Sequence, residues 1–542
     1  MEPGASPKGH LKPFEAGSFG PVISGPTSSD DAQLARIGKT PVLKRNFGFL
    51  TIVGFSCSVL ITWEGSMIGG PSGIIYGFLI IWFGTLSVFV TLSELVSMAP
   101  TSGGQYHWVS MLAPPSARNV FGYIVGWLEI TGWQALVASG GLVTGTMIQG
   151  VILLTHPTYA ENMQNWHGTL LFWAVILLSY GINTALGSLL AKFEGFILVL
   201  HILGFFAVIF PLTLLESEHA TPSNVFDHWL NLGGWQSQGL SMVIGLHGSV
   251  FAFLGADAAI HMSEEIRNAA LVVPRSLITA LTINGILGFA MLIATLFCLG
   301  DIDEALAENP HYPFMAIFRR AAGSRAGAAV MASIIIVMAF SATTGCLAST
   351  SRVYWAFARD RGLPGWNILR RVSPRTKIPR YAVLTSTVVA IILSIVNIGN
   401  ETAFNGVISI SIAGLFGSYL FAATLLLYRR ITGGIRPLDA NDELTNTVGK
   451  SITWGPWRLR GLFGVANNVS SCAYLSFIFF FSFWPSHRDV APENMNWAVL
   501  VFVVVLIFST LYYVFWARKV YRGPIIERPT GVIQPVIESV GH

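Results

Sequence analysis

Long apolar stretches separated by short polar connections run through most of the sequence. A helix that crosses a lipid bilayer needs about 20 consecutive, mostly apolar residues. Twelve stretches come close to this length or exceed it, and they cover residues 47–68, 72–98, 121–154, 168–188, 193–215, 240–262, 276–299, 327–351, 381–398, 402–427, 467–484 and 497–517. The pattern predicts an all-α integral membrane protein with twelve transmembrane helices, numbered here as predicted helices 1 to 12.

The composition supports a membrane protein and excludes several other classes. Of the 542 residues, 52% are apolar and only 11% are charged, whereas soluble domains carry roughly 25% charged residues. The net charge of +4 is small, which argues against a nucleic-acid binder, and so high an apolar content argues against a cytosolic enzyme. All four cysteines lie in apolar stretches, so they are expected to be core residues instead of disulfides or metal ligands. We expect neither a metal nor a cofactor.

The distribution of lysine and arginine predicts the orientation of the helices. Residues 1–45 form a polar tail without a cleavable signal, and residues 518–542 form a second polar tail. With both tails in the cytoplasm, 28 of the 32 basic residues fall on the cytoplasmic side and 4 on the outside. Because positively charged loops stay in the cytoplasm, we expect this orientation for the membrane domain, residues 46–517. The plasma membrane is the expected location, with the vacuolar membrane as an alternative.

Ionisable side chains inside the membrane mark the candidate functional region. Each costs at least about 2.5 kcal/mol at membrane depth and is a functional candidate by default. Predicted helices 7 to 12 carry none in their interiors. Predicted helices 1, 2, 3, 5 and 6 carry Glu64, Glu94, Glu129, His201, His247, Asp257 and His261. The first half of the membrane domain, with predicted helix 6, is therefore expected to hold the functional site.

Predicted helix 6 contains a glycine close to an aspartate in the middle of its span. Phe253, Gly255 and Asp257 belong to the stretch Phe-Leu-Gly-Ala-Asp. A helix break at this depth would free backbone groups to bind a ligand or an ion. A glycine packing contact with a capping aspartate explains the pattern equally well on periodicity alone. Three charges at the cytoplasmic end of the same helix are candidates for a surface gate, or simply for interfacial solubility: Glu264, Glu265 and Arg267.

Predicted helix 1 ends in a second candidate element. Thr62 can satisfy backbone groups where a helix unwinds, Trp63 offers an aromatic face to a cation, and Glu64 adds a carboxylate. Glu64 fits the outer membrane interface equally well, because it lies near the end of the stretch. Together with Asp257 and nearby aromatic rings, these residues would suit an ammonium or trimethylammonium group, although aromatic rings at helical spacing are also ordinary core residues.

Several short motifs give the sequence a family resemblance. They are Trp63-Glu64-Gly65, Leu92-Ser-Glu-Leu95, Ala99-Pro-Thr-Ser-Gly-Gly-Gln-Tyr-His-Trp108, Gly126-Trp127 with Gly132-Trp133, Phe253-Leu-Gly-Ala-Asp257, Ser263-Glu-Glu265 with Pro274, and Ser351-Arg352 with Ala358-Arg-Asp360. Their order and spacing make the chain resemble the fungal amino acid/choline transporter family over nearly all of residues 36–517. This family lies within the amino acid, polyamine and organocation transporter superfamily.

The resemblance implies a fold. Residues 46–215 and 240–427 would form two five-helix inverted repeats, with predicted helices 1 and 6 interrupted at the substrate site. Residues 467–517 would add two extra helices. Members of the family usually carry about one more helical turn between the Trp-Glu-Gly element and the Gly-Gly-Pro that starts helix 2. Here only three residues separate Gly65 from Gly69, so a broken helix 1 would be cramped.

The resemblance also implies site residues. In similar transporters the helix 1 break holds the substrate carboxylate on backbone amides, and by position this break would include Leu60, Ile61 and Thr62. In some relatives a titratable residue on helix 5 takes the place of a bound sodium ion, and His201 lies at a similar depth. The other candidates for a coupling proton are the two acids, Glu64 and Asp257.

The function implied by the resemblance is secondary active transport. The expected protein is a proton-coupled permease, not an enzyme, that imports amino acids, γ-aminobutyrate or choline-like amines. Its partners would be the small-molecule substrate, protons and the lipid bilayer. The sequence contains no G-x-x-x-x-G-K-[ST] phosphate loop that would point to ATP hydrolysis. Two alternatives remain open at this point: a membrane-embedded, acyltransferase-like enzyme with His201 or His247 as its base, and a nutrient receptor that does not transport.

Overall fold

The computed structural model is a bundle of α-helices. It describes residues 29–60, 62–63, 68–187, 189–300, 312–399, 401–439, 442–491 and 495–527, without the side chains of residues 396–399 and 401–405. Within these residues the helices, in chain order, are α1 (Ser29–Arg36), α2 (Phe49–Val59), α3 (Gly70–Met98), α4 (Gly104–Leu112), α5 (Arg118–Thr155), α6 (Asn165–Ala185), α7 (Leu190–Leu215), α8 (Pro222–Phe226), α9 (Gln238–Ala252), α10 (Ala258–His261), α11 (Ala269–Phe297), α12 (Pro313–Ala322), α13 (Arg325–Arg359), α14 (Trp366–Leu369), α15 (Arg380–Gly399), α16 (Glu401–Ile431), α17 (Gly461–Phe481) and α18 (Ala498–Phe515).

The prediction of an all-α membrane protein is confirmed. Over the described residues, nine helices are long and apolar enough to cross a membrane, namely α3, α5, α6, α7, α11, α13, α16, α17 and α18. Two shorter apolar helices, α2 and α15, add to them. Every predicted helix coincides with one helix of the structure, except predicted helix 6, which corresponds to α9 followed by α10. The inverted-repeat relation and the domain boundaries stay predictions.

Apolar side chains cover the outer surface of the bundle. Leu214 on α7 is 75% exposed, and Leu462 on α17 is 85% exposed. Similar side chains continue along α18, where Leu500 is 54% exposed. Contiguous apolar surface of this extent is rare on soluble monomers. It is the surface expected of helices that face lipid.

The described terminal segments meet at one end of the bundle. The Glu527 N–H donates to the Gly38 carbonyl at 2.7 Å, and the Phe47 N–H donates to the Glu265 backbone carbonyl at 3.1 Å. We call this end the terminal end. At the other end, here called the opposite end, the chain before α3 meets the segment before α9, and the Leu230 N–H donates to the Gly69 carbonyl at 3.1 Å.

The helix that corresponds to predicted helix 1 ends at Val59. α2 ends there, and Leu60 has an extended backbone with φ −90° and ψ 124°. The Leu60 N–H donates to the Cys57 carbonyl at 3.3 Å, a bond three residues back that closes the helix. With 11 residues, α2 is about 16 Å long, which is roughly half of the hydrocarbon core of a bilayer. The helix therefore stops inside the bundle, where the resemblance implied a break.

Predicted helix 6 is interrupted, so the alternative of an unbroken helix with a glycine packing contact is wrong. α9 ends at Ala252, and the four-residue helix α10 begins at Ala258. Gly255 lies between them with φ +92°. This left-handed conformation is readily adopted by glycine alone, and it prevents the helix from continuing.

The short helix α4 was not expected from the sequence. The apolar pattern predicts nothing between residues 98 and 121, because Gln105 and His107 are polar. Yet every residue of α4 is buried, and the helix packs against α5 and α16. It carries Gln105 into the interior next to the break of α9, where a buried amide can bond to Asp257.

Candidate functional site

The two helix ends touch each other inside the bundle. A Cβ atom added to Gly255 would lie 2.7 Å from Cγ1 of Val59, the last residue of α2, and 3.0 Å from Cδ2 of Leu136 on α5. No real Cβ atom tolerates the first distance. Glycine is therefore required at this position by space as well as by backbone conformation, and it allows the break in α9 to contact the end of α2.

A small cavity of about 100 Å³ lies beside the end of α2. Its wall includes three residues of the sequence-predicted site, Leu60, Thr62 and Trp63, and also the predicted coupling residue His201 on α7. Ser58 adds a polar side chain to the wall. The structure thus brings the helix 1 part of the predicted site together with His201. Ile61 and Glu64, which belong to the same prediction, lie outside the described residues.

Thr62 and Trp63 are held in this wall by specific contacts. The Thr62 hydroxyl donates to the Asn284 carbonyl on α11 at 3.0 Å. A Cβ atom on Gly288 would overlap this hydroxyl, so the glycine makes room for it. The Trp63 ring packs edge-on against Phe314 of α12, with centroids 5.5 Å apart, and remains partly exposed.

The helix 6 residues of the predicted site lie outside the cavity wall. Asp257 is fully buried and accepts a hydrogen bond from the Gln105 side-chain amide at 3.0 Å. The buried Tyr419 hydroxyl of α16 also lies close to this carboxyl group. Phe253 is buried as well and packs edge-on against Phe78 on α3, with centroids 5.1 Å apart. The structure therefore separates Asp257 and Phe253 from Thr62 and Trp63 instead of placing them in one wall.

Asp257 belongs to a buried cluster with a histidine and a second carboxylate. His261 Nε2 lies 3.5 Å from Asp257 Oδ2, and His261 Nδ1 lies 3.5 Å from Glu129 Oε1. The Trp133 indole N–H donates to His261 Nε2 at 2.9 Å. An indole N–H only donates, so Nε2 must accept, and the single ring proton sits on Nδ1. There it faces the Ser102 carbonyl at 3.2 Å.

This arrangement leaves His261 neutral. Two carboxyl groups, Asp257 and Glu129, are then buried without a cationic partner among the described residues. A buried carboxylate without a counter-charge is costly. Protons on the carboxyl groups, or a cation nearby, would relieve that cost.

A third buried carboxyl group without an ion pair among the described residues lies between α2, α7 and α13. Glu194 of α7 is fully buried. One of its oxygens accepts from the Ser58 hydroxyl at 3.0 Å and from the Ser341 hydroxyl at 3.3 Å. The other oxygen has no hydrogen-bond partner in the part of the chain that the structure describes. Ser58 also lines the cavity, so Glu194 is one residue away from it.

The charges predicted at the end of helix 6 form buried ion pairs, which corrects the interpretation of Glu264 and Glu265 as surface charges. Two nitrogens of Arg359 bond both oxygens of Glu264 at 2.7 and 3.0 Å. Arg352 Nε bonds Glu265 at 2.7 Å. Both arginines come from the end of α13 and neutralise the acids, which explains why the acids can be buried. Arg267 is exposed at the same end.

The terminal segments complete this network. Asp360 accepts three hydrogen bonds, from Lys39 at 2.6 Å, from the Tyr106 hydroxyl at 2.9 Å and from the Ile525 N–H at 3.0 Å. Burial raises the pKa of Asp360, but the charges of Lys39 and Arg359 outweigh burial, and the pKa lies below its ordinary value. The carboxylate is therefore the stable form, and it joins both terminal segments to the end of α13.

Sequence reasoning missed part of this site. Glu129 and His261 were noted as charges at membrane depth but were not paired with Asp257. His261 follows Asp257 by four residues, a spacing that places two side chains on one face of a helix, whereas nothing in the sequence paired Glu129 with either. Glu194 was not singled out, because it lies in the first turn of predicted helix 5 beside Lys192 and has the position of an interfacial charge. An acid in that turn, within an apolar stretch, was the available signal.

The fold and the cavity define a class of protein. Membrane-spanning helices, one of which ends beside a cavity within the bundle and touches the break of another, are the architecture of secondary transporters. Comparison with known proteins gives the family. Residues 47–507 match the family model described as amino acid permease, and the chain belongs to this family. The sequence-based assignment to a permease family is confirmed.

Related proteins extend over most of the chain. A protein of Macrophomina phaseolina named for amino acid/polyamine transport is 30% identical, covering 82% of this chain and 96% of its own length. The choline transporter of Saccharomyces cerevisiae is 28% identical, covering 89% and 83%. Amino-acid permease 2 of Neurospora crassa is 26% identical, covering 97% and 95%. The protein is thus a multi-pass membrane transporter for a small molecule.

Proposed function

We propose that the protein is a proton-coupled secondary transporter that imports amino acids, γ-aminobutyrate or choline-like amines. The observation that carries this proposal is the cavity at the end of α2, beside the contact between the two interrupted helices. Half-helix ends and free backbone groups are what transporters of this architecture offer to a substrate. The names of the relatives, which include both amino acid and choline transport, support the same range.

Electrostatics support a substrate that carries an amine. The C-terminal end of α2 at Val59 is the negative end of the helix dipole and favours a cation. Asp257 and Glu129 have no cationic partner in the described residues, which adds negative character on the side of α10. Trp63 in the cavity wall offers its ring to an ammonium or trimethylammonium group. A substrate carboxylate would bind near Leu60 and Thr62, as the family resemblance implies.

Movement of α2 would connect the cavity to Asp257. Gly255 touches Val59, so a shift of the end of α2 away from α10 would uncover the break that precedes Asp257. Opening at the terminal end would require the ion pairs of Glu264 and Glu265 to separate. In this proposal those pairs act as a gate, with the exposed Arg267 beside them.

A transporter accounts for the site better than an enzyme. His201 lines the cavity, but no carboxylate pairs with its ring in the described residues, and His247 bonds the Ser409 hydroxyl at 3.1 Å instead. A general base in catalysis is normally oriented by such a partner. We propose no catalytic activity and no nucleic-acid partner. A nutrient receptor without transport is the remaining alternative, and uptake distinguishes it.

We further propose that the terminal end faces the cytoplasm and that the protein resides in the plasma membrane. The excess of basic residues in the connections and tails of that end supports this orientation, since positive loops are retained in the cytoplasm. A fluorescent tag on either terminus should report a cytoplasmic pH and outline the cell. Labelling of the vacuolar boundary would overturn the location but not the orientation.

Uptake into proteoliposomes tests the function. The purified full chain should accumulate one labelled compound from a panel of choline, γ-aminobutyrate and amino acids when the medium outside is acidic, and competition by the rest ranks the substrates. Asp257→Asn should abolish accumulation while membrane insertion is intact, whereas Glu443→Gln, at an exposed residue outside the helices, should not. If Asp257→Asn accumulated the substrate as well as the wild type does, the Asp257 carboxylate would have no part in the mechanism. Substrate binding without uptake would favour a receptor.

A further inference from the structure

The segment from the end of α13 to the first residue of α15, residues 361–380, is strongly basic, and we call it the basic connection. It contains no aspartate or glutamate, and its basic residues are Arg361, Arg370, Arg371, Arg375, Lys377 and Arg380. No ion pair joins any of them to another described residue. Glu527 lies within electrostatic range of Arg370, but its carboxylate bonds Thr40 and approaches Arg359. The described protein therefore leaves this positive charge largely without a counter-charge.

Two of these basic side chains are held against one aromatic ring. The guanidinium carbons of Arg361 and Arg370 lie 5.1 and 4.8 Å from the centre of the Trp366 ring on α14. The position of Arg370 is fixed, because its carbonyl accepts a hydrogen bond from the Trp355 indole of α13 at 3.1 Å. Burial, together with the charges of Arg361 and Arg371, lowers the pKa of Arg370. Arg361 Nε is buried and has no hydrogen-bond partner among the described residues. An anion bound here would reduce the repulsion and supply acceptors.

A turn holds further charges at the start of α15. The Ser373 N–H donates to the Ile378 carbonyl at 2.9 Å, and the Lys377 N–H donates to the Ser373 carbonyl at 2.9 Å. Arg375 and Lys377 are exposed in this turn, and Arg380, also exposed, begins α15. Since α14 contacts α15, the turn and the Trp366 ring belong to one basic surface.

An exposed apolar stripe continues directly from this basic surface along α15. Its residues, each between 44% and 57% exposed, are Tyr381, Leu384, Val388, Ile392 and Ile395. Successive members are three or four positions apart, which places them on one face of the helix. A phospholipid has the same order of parts, because a charged phosphate lies next to apolar chains. A soluble anion would use only the basic part of this surface.

We infer that the basic connection and the exposed face of α15 bind an anionic phospholipid of the leaflet at the terminal end. Guanidinium groups such as those of Arg361 and Arg370 bind phosphate through paired hydrogen bonds. Clusters of about four to eight basic residues beside a membrane helix are typical of anionic-lipid sites. The retention of positive loops in the cytoplasm requires basic residues here but does not require two of them to be fixed against a ring. The inference does not depend on which substrate is transported.

Lipid binding to the purified full chain tests this site. Native mass spectrometry in detergent, with phosphatidylserine or phosphatidylcholine of the same acyl chains added, measures the dissociation constant of each lipid. Phosphatidylserine should bind at least about tenfold more tightly, since each basic side chain near an anionic lipid contributes severalfold. The triple variant Arg371→Gln, Arg375→Gln and Lys377→Gln changes exposed residues and should reduce this ratio to about one. Equal binding of the two lipids by the wild type would overturn the proposal.

A second triple variant provides the matched control. Arg518→Gln, Lys519→Gln and Arg522→Gln also remove three exposed basic residues at the end of a membrane helix, and this variant should keep the preference for phosphatidylserine. The same loss of preference in both triple variants would show a diffuse attraction to the whole basic end and would overturn a site at the basic connection. Thermal unfolding with phosphatidylcholine checks that both variants are folded.

Arg370→Lys separates a phosphate site from general attraction to positive charge. Lysine keeps the charge but lacks the paired donors of a guanidinium group, so this variant should weaken phosphatidylserine binding at least about threefold. Unchanged binding would remove the ring-bound pair from the site and overturn the proposal. Inorganic phosphate at the concentration of the lipid should not displace phosphatidylserine. If it did, the site would belong to a soluble anion and the apolar stripe would have no part in it.

Discussion

Gly255 determines where α9 ends. Its φ of +92° lies in the region that L side chains rarely adopt, and Val59 occupies the space of a side chain. We expect Gly255→Ala to lower the stability of the purified protein by about 2 kcal/mol or more, because backbone strain and overpacking each cost on the order of 1–2 kcal/mol. Thermal unfolding in detergent measures this. Gly181→Ala on α6, where a Cβ atom meets open space, is the control and should not lower stability. Equal midpoints for both variants would contradict the argument.

Trp63 is the aromatic residue that the cavity presents to a substrate. If its ring contacts a cationic group, Trp63→Leu should raise the apparent KM roughly tenfold, since a cation–π contact contributes about 1–2 kcal/mol. Trp63→Phe keeps an aromatic face and should raise KM less. Initial rates of uptake over a range of concentrations give the comparison. An unchanged KM in Trp63→Leu would instead make Trp63 a packing partner of Phe314.

The chemistry of individual residues could be predicted from the sequence, but their partners could not. Glycine beside an acid in an apolar stretch predicted the break at Gly255, because both residue types are costly in a continuous membrane helix. The contact of Asp257 with Gln105 depends on α4, which no apolar pattern revealed. Glu194 depends on Ser58 and Ser341, which lie far apart in the sequence and meet only after three helices have packed.

At the level of helices, apolar length was the reliable signal and continuity was not. A stretch as long as 47–68 predicts a span whether or not the helix is continuous, since hydropathy does not register backbone conformation. α2 stops at Val59 because the chain turns to an extended backbone at Leu60. α4 was missed for the opposite reason, because it is buried by protein and needs no lipid-facing apolar side. The geometry of the candidate site depends on these two features, the end of α2 at Val59 and the buried helix α4, and the apolar pattern shows neither.

The end of α13 and the segment before α2 should separate at low pH. The pKa of Asp360 lies below its ordinary value despite burial, owing to Lys39 and Arg359. Its contribution to stability is therefore complete above the ordinary carboxyl pKa of about 3.9, and is lost as the pH falls through the lowered value. Lys39→Met removes a favourable charge, raises that pKa and should move the separation to higher pH. Hydrogen exchange of the backbone amides of residues 36–47 measures this separation, once the rates are corrected for the pH dependence of intrinsic exchange.

Lys44→Met provides the matched control for this experiment. Lys44 lies in the same segment but is exposed, and no ion pair joins it to another described residue. Its removal should leave the pH of separation unchanged. If Lys39→Met and Lys44→Met behaved alike, the bond between Lys39 and Asp360 would not be what holds the segment.

Across the whole molecule, exposed apolar side chains and buried ion pairs occupy different regions of the bundle. Apolar side chains point outward along α7, α17 and α18, while ion pairs collect at the terminal end around Glu264 and Glu265. The composition predicted the first property, whereas the sequence analysis took Glu264 and Glu265 for surface charges and did not pair them with Arg359 and Arg352. The sequence could not predict that both terminal segments bond Asp360 at the end of α13, since this depends on short polar segments without a periodic pattern.

The contact between the two terminal segments should keep the terminal end closed. Ile525 bonds Asp360, and Glu527 bonds both the backbone and the hydroxyl of Thr40. Each hydrogen bond contributes about 1 kcal/mol. A chain ending after Arg522 loses these contacts, whereas a chain ending after Glu527 keeps them. With Ser102→Cys as a reporter beside Glu264, the shorter chain should react with a thiol reagent at least about tenfold faster than the longer one. Equal rates in the two chains would show that the gate closes without the terminal segments.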